Sequence, residues 1–232
     1  MIYVTGDTHG YLDSDKISTT NFTIGNSLTK KDYLIILGDV GVFRFNQEFM
    51  KEFEEKPYTT LMIEGNHEDY DYIKTLPEID MFNGKVKKVN ESLFILQRGQ
   101  IYTIDNKTFF AFGGGKSIDR YRRTEGVDWF PEEETNYAEI IYALDYLAMY
   151  NNKVDYILTH DCSQSALEYL AKIYKFYPNP TSHNKFFEEI KNIIDFKMWY
   201  FGHHHKDIII KGDKERCLYN EIIELETGEI VN

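Results

Sequence analysis

Five short apolar runs, each rich in β-branched and aromatic residues and each ending in a polar cluster, limit what this chain can fold into. Ile2-Tyr3-Val4-Thr5 leads into Gly6-Asp7, Tyr33-Leu34-Ile35-Ile36-Leu37 into Gly38-Asp39, and Thr60-Leu61-Met62-Ile63 into Gly65-Asn66-His67. Tyr156-Ile157-Leu158-Thr159 leads into His160, and Met198-Trp199-Tyr200-Phe201 into Gly202-His203. Near-continuous apolar runs of this length read as strands covered on both faces, the inner strands of an α/β sheet. Helical spacing recurs between them at Asn46 to Lys56, Pro131 to Tyr150, Ser163 to Tyr174 and His183 to Ile194. Pro131 suits a first helical turn, and the glutamates behind it favour a helix N-terminus. The middle reads as a β meander over Val86–Val89, Leu93–Leu96, Ile101–Ile104 and Thr108–Phe112, with Asp105-Asn106 as a hairpin turn. The tail, Asp207 to Val231, reads as short strands around Gly212-Asp213 and Thr227-Gly228. The 232 residues show no repeat, no low-complexity stretch and no linker, so a single domain over residues 1–232 is expected.

Six of the seven histidines sit in the clusters that follow the strands: Asp7-Thr8-His9, Asn66-His67, His160-Asp161 and His203-His204-His205. In open α/β sheets ligands bind beyond the carboxyl ends of the strands, where loops from neighbouring strands meet. Glycine precedes four of the five clusters, at Gly6, Gly38, Gly65 and Gly202, and permits a sharp exit and close backbone approach. Asp, Asn and neutral His are oxygen and nitrogen donors that suit Mn, Fe, Zn or Ni. The candidates Asp7, His9, Asp39, Asn66, His160, His203 and His205 are too many for one tetrahedral ion. They suit two ions about 3.5–4 Å apart that share a carboxylate. Taken singly, Asp-x-His or Gly-Asn is a turn signal. Joint appearance at five strand ends is what points to metal. His204 is expected to point away from its neighbours if the backbone is extended. His183 has no cluster partners and reads as structural, and Cys162 reads as a small packed residue.

Composition narrows the class further. Two cysteines are too few for a disulfide framework or thiolate zinc site and suggest a reducing compartment. Residues 1–7 have no basic or long apolar leader region, and no run approaches the ~20 residues of a membrane helix, so a cytoplasmic protein is expected. A net charge of -12 disfavours general binding to a nucleic-acid backbone.

The five clusters, in this order, resemble the motifs of the calcineurin-like metallophosphoesterases: D-x-H, G-D-x-x-D-R, G-N-H-[DE], a lone His and G-H-x-H. The corresponding residues are Asp7-Thr8-His9, Gly38-Asp39, Gly65-Asn66-His67-Glu68, Thr159-His160 and Gly202-His203-His204-His205. The opening Gly6-Asp7-Thr8-His9-Gly10 is also similar to that of the phosphoprotein phosphatases. The resemblance implies an α/β fold in which two mixed β-sheets pack as a sandwich flanked by helices. It implies that Asp7, His9 and His205 hold one ion, that Asn66, His160 and His203 hold the other, and that Asp39 bridges them. It further implies a phosphomonoester or phosphodiester substrate, and His67 as general acid or stabiliser of the leaving oxygen. Rival readings are a catalytically weak metal-binding scaffold for protein partners, and a nuclease.

The second motif departs from the family: Val42 and Phe43 stand where its Asp and Arg would be. In phosphoprotein phosphatases that Asp orients the catalytic His and that Arg clamps phosphate, so cationic help must come from elsewhere. Residues 113–130 are expected to form an active-site loop, with Arg120, Arg122 and Arg123 as candidate phosphate-binding residues. Gly115-Lys116-Ser117 is not the phosphate loop of nucleotide triphosphatases, because Phe110 occupies the position of the first glycine.

Overall fold

The computed structural model describes residues 1–212 and 214–232. Along them run β1 Ile2–Thr5, β2 Tyr33–Ile36, α1 Gln47–Glu55, β3 Thr59–Met62, α2 Tyr70–Thr75, β4 Glu78–Met81, β5 Gly84–Lys88, β6 Leu93–Leu96 and β7 Gln100–Ile104. Then follow β8 Lys107–Phe112, α3 Tyr137–Met149, β9 Tyr156–Thr159, α4 Gln164–Tyr174, α5 Ser182–Ile193, β10 Met198–Phe201, β11 Ile208–Ile209, β12 Glu215–Cys217 and β13 Ile222–Glu224. A seven-stranded sheet has the order β13-β1-β2-β3-β6-β5-β4, and a six-stranded sheet the order β11-β12-β10-β9-β8-β7.

The apolar strands lack a polar face because each has a layer on both sides. Val4, Ile35 and Leu61 meet Ala111, Leu158 and Tyr200 of the other sheet in the central core. Their strand neighbours Tyr3, Leu34, Ile36 and Met62 turn outward onto Phe49 and Phe53 of α1. On the far side, Phe110, Ile157 and Trp199 pack against Leu147 of α3 and Phe187 of α5. α4 covers Phe201 and Cys217 through Ala166 and Leu170. This is a sandwich of two mixed sheets flanked by helices. No helix among the described residues is long and apolar enough to cross a membrane.

Three readings change in detail. The helix expected over Pro131 to Tyr150 is two pieces, a 3₁₀ turn at Pro131–Glu133 and α3. Asn136 interrupts it: its side chain accepts from the Glu139 N–H while the Glu139 carboxylate accepts from the Asn136 N–H, a capping box that starts a new helix. The meander is divided between the sheets, with β5 and β6 in one and the β7–β8 hairpin in the other. That hairpin turns at Asp105-Asn106 with φ of 49° and 60°, as a type I′ turn demands. In the tail, β12 pairs parallel with β10, and β13 returns beside β1. Thr227-Gly228 forms a turn onto Glu224, whereas the expected Gly212-Asp213 turn includes Asp213, which lies outside the described residues.

Candidate metal centre

β1, β2 and β3 run parallel in one sheet and β8, β9 and β10 in the other, so their carboxyl ends share one rim. Two bonds tie the sheets there: the His203 N–H donates to Asp7 at 3.0 Å, and the His160 Nδ1–H to the Leu37 carbonyl at 2.7 Å. Asp39 lies between two groups of donors. Its Oδ2 is 3.2 Å from His9 Nε2, and its Oδ1 is 3.5 Å from His160 Nε2. On one side, Asp7, His9 and His205 present donor atoms within 4.8 Å of one another, with His205 Nε2 3.2 Å from Asp7 Oδ2. On the other, Asn66 Oδ1 is 2.9 Å from His160 Nε2, and the His160 and His203 ring centroids are 4.9 Å apart.

Outer partners aim these donors inward. The Asp13 carboxylate takes the Nδ1–H of His9 at 2.7 Å, and the Leu37 carbonyl takes that of His160, so each ring turns Nε2 to the centre. Tyr219 stacks on His205 with centroids 4.5 Å apart and rings 10° from parallel. The Lys16 ammonium donates to the carbonyls of Asp7 and Tyr219.

The four glycines before the clusters are there chiefly for space. A Cβ on Gly65 would lie 2.0 Å from Asp39 Oδ1, and one on Gly202 2.2 Å from Asp7 Oδ1. Gly38 also has positive φ (93°), and so do four candidate ligands: His9 (45°), Asp39 (51°), His203 (64°) and His205 (50°). Such backbone costs about 1 kcal/mol or more per residue and is retained where function demands the geometry. The two flanking positive φ values mean that the condition of extended backbone around His204 is not met. That ring turns instead to Asp161, with Nε2 3.1 Å from Oδ1, and lies 3.3 Å from Cys162 Sγ.

The two buried carboxylates dominate the field in the centre. Burial works against charging His9, yet its bond to Asp39 and the fields of Asp39 and Asp7 raise it to about 9. Burial opposes His160 in the same way, and Asp39 and Asp7 lift it to about 10. Asp7 and Asp39 are fully buried and still held below the ordinary carboxylate range by the surrounding imidazoles. His67 moves down, chiefly through burial, with Arg123 adding to the effect and Asp39 opposing it. Two buried carboxylates ringed by imidazoles and an amide oxygen therefore fit divalent cations: donor types, burial and charge all agree.

The centre opens into a cleft of about 820 Å³ whose walls include His67, Lys116, Arg120, Tyr121, Phe176 and Tyr177. The three arginines separate. Arg120 lines the cleft and pairs with Glu134 at 3.0 Å. Arg123 grips Asp119 with two 2.8 Å bonds, and Arg122 lies over the Tyr121 ring. Val42 is wholly buried, Phe43 stacks on Phe45, and Arg44 pairs with Asp69. Lys16, Asp13, Ser117, Glu133 and Tyr219 were not legible as parts of the site. Only Asp13, four residues after His9, had a local spacing that could have announced it.

Sequence comparison agrees with this geometry. The family profile for calcineurin-like phosphoesterases matches residues 1–207, and the chain belongs to that family, whose members depend on metal. Among solved structures it is similar to a putative 5'-nucleotidase from Staphylococcus aureus in complex with α-ketoglutarate, with 14% identity and a TM-score of 0.51 over 99% of this chain. This chain spans 52% of that one, about half its length. It is also similar to the phosphopantetheinyl hydrolase of Mycobacterium tuberculosis, with 15% identity and a TM-score of 0.41, covering 94% of this chain and 87% of that one. No functionally curated protein matches the chain.

Proposed function

We propose that this protein is a phosphoric ester hydrolase that cleaves a phosphomonoester or phosphodiester with two divalent ions of the Mn, Fe, Zn or Ni type. The observation that carries the reading is Asp39, a buried carboxylate at positive φ with one oxygen toward His9 and the other toward His160. Asp7, His9 and His205 would hold one ion and Asn66, His160 and His203 the other, with Asp39 between the two groups. When bound, the ions supply the charge that makes water a nucleophile at neutral pH and stabilises the phosphoryl oxygens.

The chain's own residues do the rest. Asp13 and the Leu37 carbonyl fix the His9 and His160 rings, so the donors need no reorganisation on binding. His67 stands on the cleft wall beside Asn66, where it can hydrogen-bond the leaving oxygen. Residues 116–121 of the loop 113–130 line the cleft, and from it Arg120 would reach a bound phosphate, with Arg122 and Arg123 on the same loop outside the cleft lining. The test is hydrolysis of p-nitrophenyl phosphate and bis(p-nitrophenyl) phosphate, with and without Mn²⁺, by wild type, Asp39→Asn and His67→Ala. Metal-dependent turnover that collapses in both variants is expected. Metal-loaded wild type that turns over neither ester would refute the reading.

A further inference from the structure

We infer that Ser117 and Glu133 form a relay that fixes which end of the Asn66 side-chain amide faces the centre and, through it, holds His67. This rests on the reading of Asn66 as a metal ligand. An amide presents oxygen on one side and NH₂ on the other, and only the oxygen can ligate. Nothing intrinsic to Asn66 selects between two orientations related by a half-turn of the amide, so a neighbour has to.

The neighbours are on the loop after β8. Asn66 Nδ2 donates to Ser117 Oγ at 3.0 Å. Ser117 Oγ donates onward to Glu133 Oε2 at 2.7 Å, and the Ser117 N–H donates to Glu133 Oε1 at 2.7 Å. A carboxylate only accepts, so Glu133 forces the hydroxyl hydrogen toward itself and turns a lone pair of Ser117 toward Asn66. Asn66 must then present NH₂ to Ser117 and oxygen to the centre, where Oδ1 meets His160 Nε2 at 2.9 Å. Nδ2 also lies 3.1 Å from His67 Nε2, which commits the second N–H and makes that ring nitrogen an acceptor. All three residues are buried, with exposures of 3% for Asn66, 3% for Ser117 and 0% for Glu133, Asn66 and Ser117 at the edge of the cleft. The loop is pressed onto the ligands it serves: a Cβ on Gly115 would lie 3.2 Å from His160 Cδ2 and 3.5 Å from Asn66 Oδ1.

Ser117 and Glu133 are thus positioning residues. They supply from the opposite wall the orienting role that the family's second motif fills with the Asp replaced here by Val42. Glu133→Gln separates this role from packing, because it keeps the shape and changes only hydrogen-bond direction. With its oxygen toward the Ser117 N–H, the new amide turns a donor to Ser117 Oγ. The hydroxyl hydrogen is then redirected to Asn66, whose oxygen is drawn away from the centre.

The test uses the full chain in two ways. Mn²⁺ titration by calorimetry should show the second ion binding roughly 10–100-fold more weakly in Ser117→Ala and Glu133→Gln, the usual effect of losing an outer-shell partner. Ser117→Thr, which keeps the hydroxyl, should restore it. Histidine ring ¹⁵N spectra of the metal-free protein should place the neutral His67 proton on Nδ1 in wild type and show a changed tautomer population in both disruptive variants. Wild-type Mn²⁺ affinity in Glu133→Gln, or unchanged His67 spectra in both variants, would overturn the relay. Neither readout needs turnover. A protein that binds both ions and hydrolyses no phosphate ester would therefore defeat the proposed activity while leaving the relay to stand or fall on its own.

Discussion

His183 should be an acid-labile weak point of the fold. It sits in α5 with no exposure, its ring centroid 6.2 Å from that of Phe112 and 5.8 Å from that of Phe187. Neither ring nitrogen has a protein hydrogen-bond partner among the described residues. Burial is the main reason its pKa falls from the ordinary 6.5 to about 3; Arg98 adds to the shift and Asp161 opposes it. Above pH 6.5 the imidazole is neutral in both the folded and the unfolded chain, and its contribution to stability is fully present. Between pH 6.5 and 3 only the unfolded chain takes up the proton, so stability falls by about 1.4 kcal/mol per pH unit. At pH 5 the loss from this group is about 2 kcal/mol.

His183→Leu removes both the titration and the unpartnered polar ring, at similar volume. The variant should be about 1–3 kcal/mol more stable than wild type at pH 7.5, the cost of a buried group without hydrogen bonds. That advantage should widen by about 2 kcal/mol at pH 5. Urea unfolding of both proteins in EDTA at the two pH values measures the widening. Every other titrating group is common to both chains and cancels in the difference. If the two stabilities run parallel with pH to within ~0.5 kcal/mol, then His183 is not buried neutral and the reasoning fails.

Gly65→Ala tests whether the glycine before Asn66 is there for space. Its Cβ would sit 2.0 Å from Asp39 Oδ1 and 2.2 Å from the Asp39 N. Displacing that carboxylate should destabilise the fold by about 1–3 kcal/mol or more and reduce Mn²⁺ stoichiometry, read by melting and by metal analysis after gel filtration. An unchanged melting temperature with two bound ions would show that the centre yields easily. Arg120→Ala should raise KM for a phosphate ester several-fold with little change in melting, because the side chain lines the cleft and its pair with Glu134 is solvent-exposed. Arg122→Ala, whose guanidinium lies over Tyr121, should leave KM within about two-fold. Equal effects of the two substitutions would remove the distinction drawn between them.

What could be read from the sequence, and what could not, follows the reach of the interactions. The strand ends were legible because two-faced burial forces continuous apolar runs, and the polar residue that breaks each run marks the rim. The hairpin at Asp105-Asn106 was legible because a two-residue loop needs two positive φ values and Asn and Asp tolerate them. β4 was not, because Glu78, Ile79, Asp80 and Met81 form a half-exposed edge strand with little apolar signal. The 3₁₀ turns at Ser14–Ile17 and Thr23–Ser27 were also missed, since their fixed points are tertiary, such as Phe22 against Tyr3. Within the site, the donors could be listed from local pattern. Their supports could not: the Leu37 carbonyl is backbone, and Glu133 lies 67 residues from Asn66, joined to it only through Ser117.

The departure after Asp39 shows on both sides of the centre. Behind Asp39, the N–H groups of Val40, Gly41 and Val42 all point at the buried Glu68 carboxyl, at 2.7, 3.1 and 2.6 Å. Val42 packs into the core under α1, and Arg44 is turned outward onto Asp69. That segment is built as packing and has no side chain left to orient His67 or to meet a phosphate. The opposite wall offers a candidate for each role. The loop after β8 carries Ser117 against Asn66 and Arg120 at the cleft, and the turn at Pro131–Glu133 anchors it through Glu133. The strands fix where the candidate donors stand, and in the proposed relay a buried carboxylate on a separate loop fixes how one of them is turned. A change of specificity in this fold can therefore arise on the loop while the strand-end motifs stay the same.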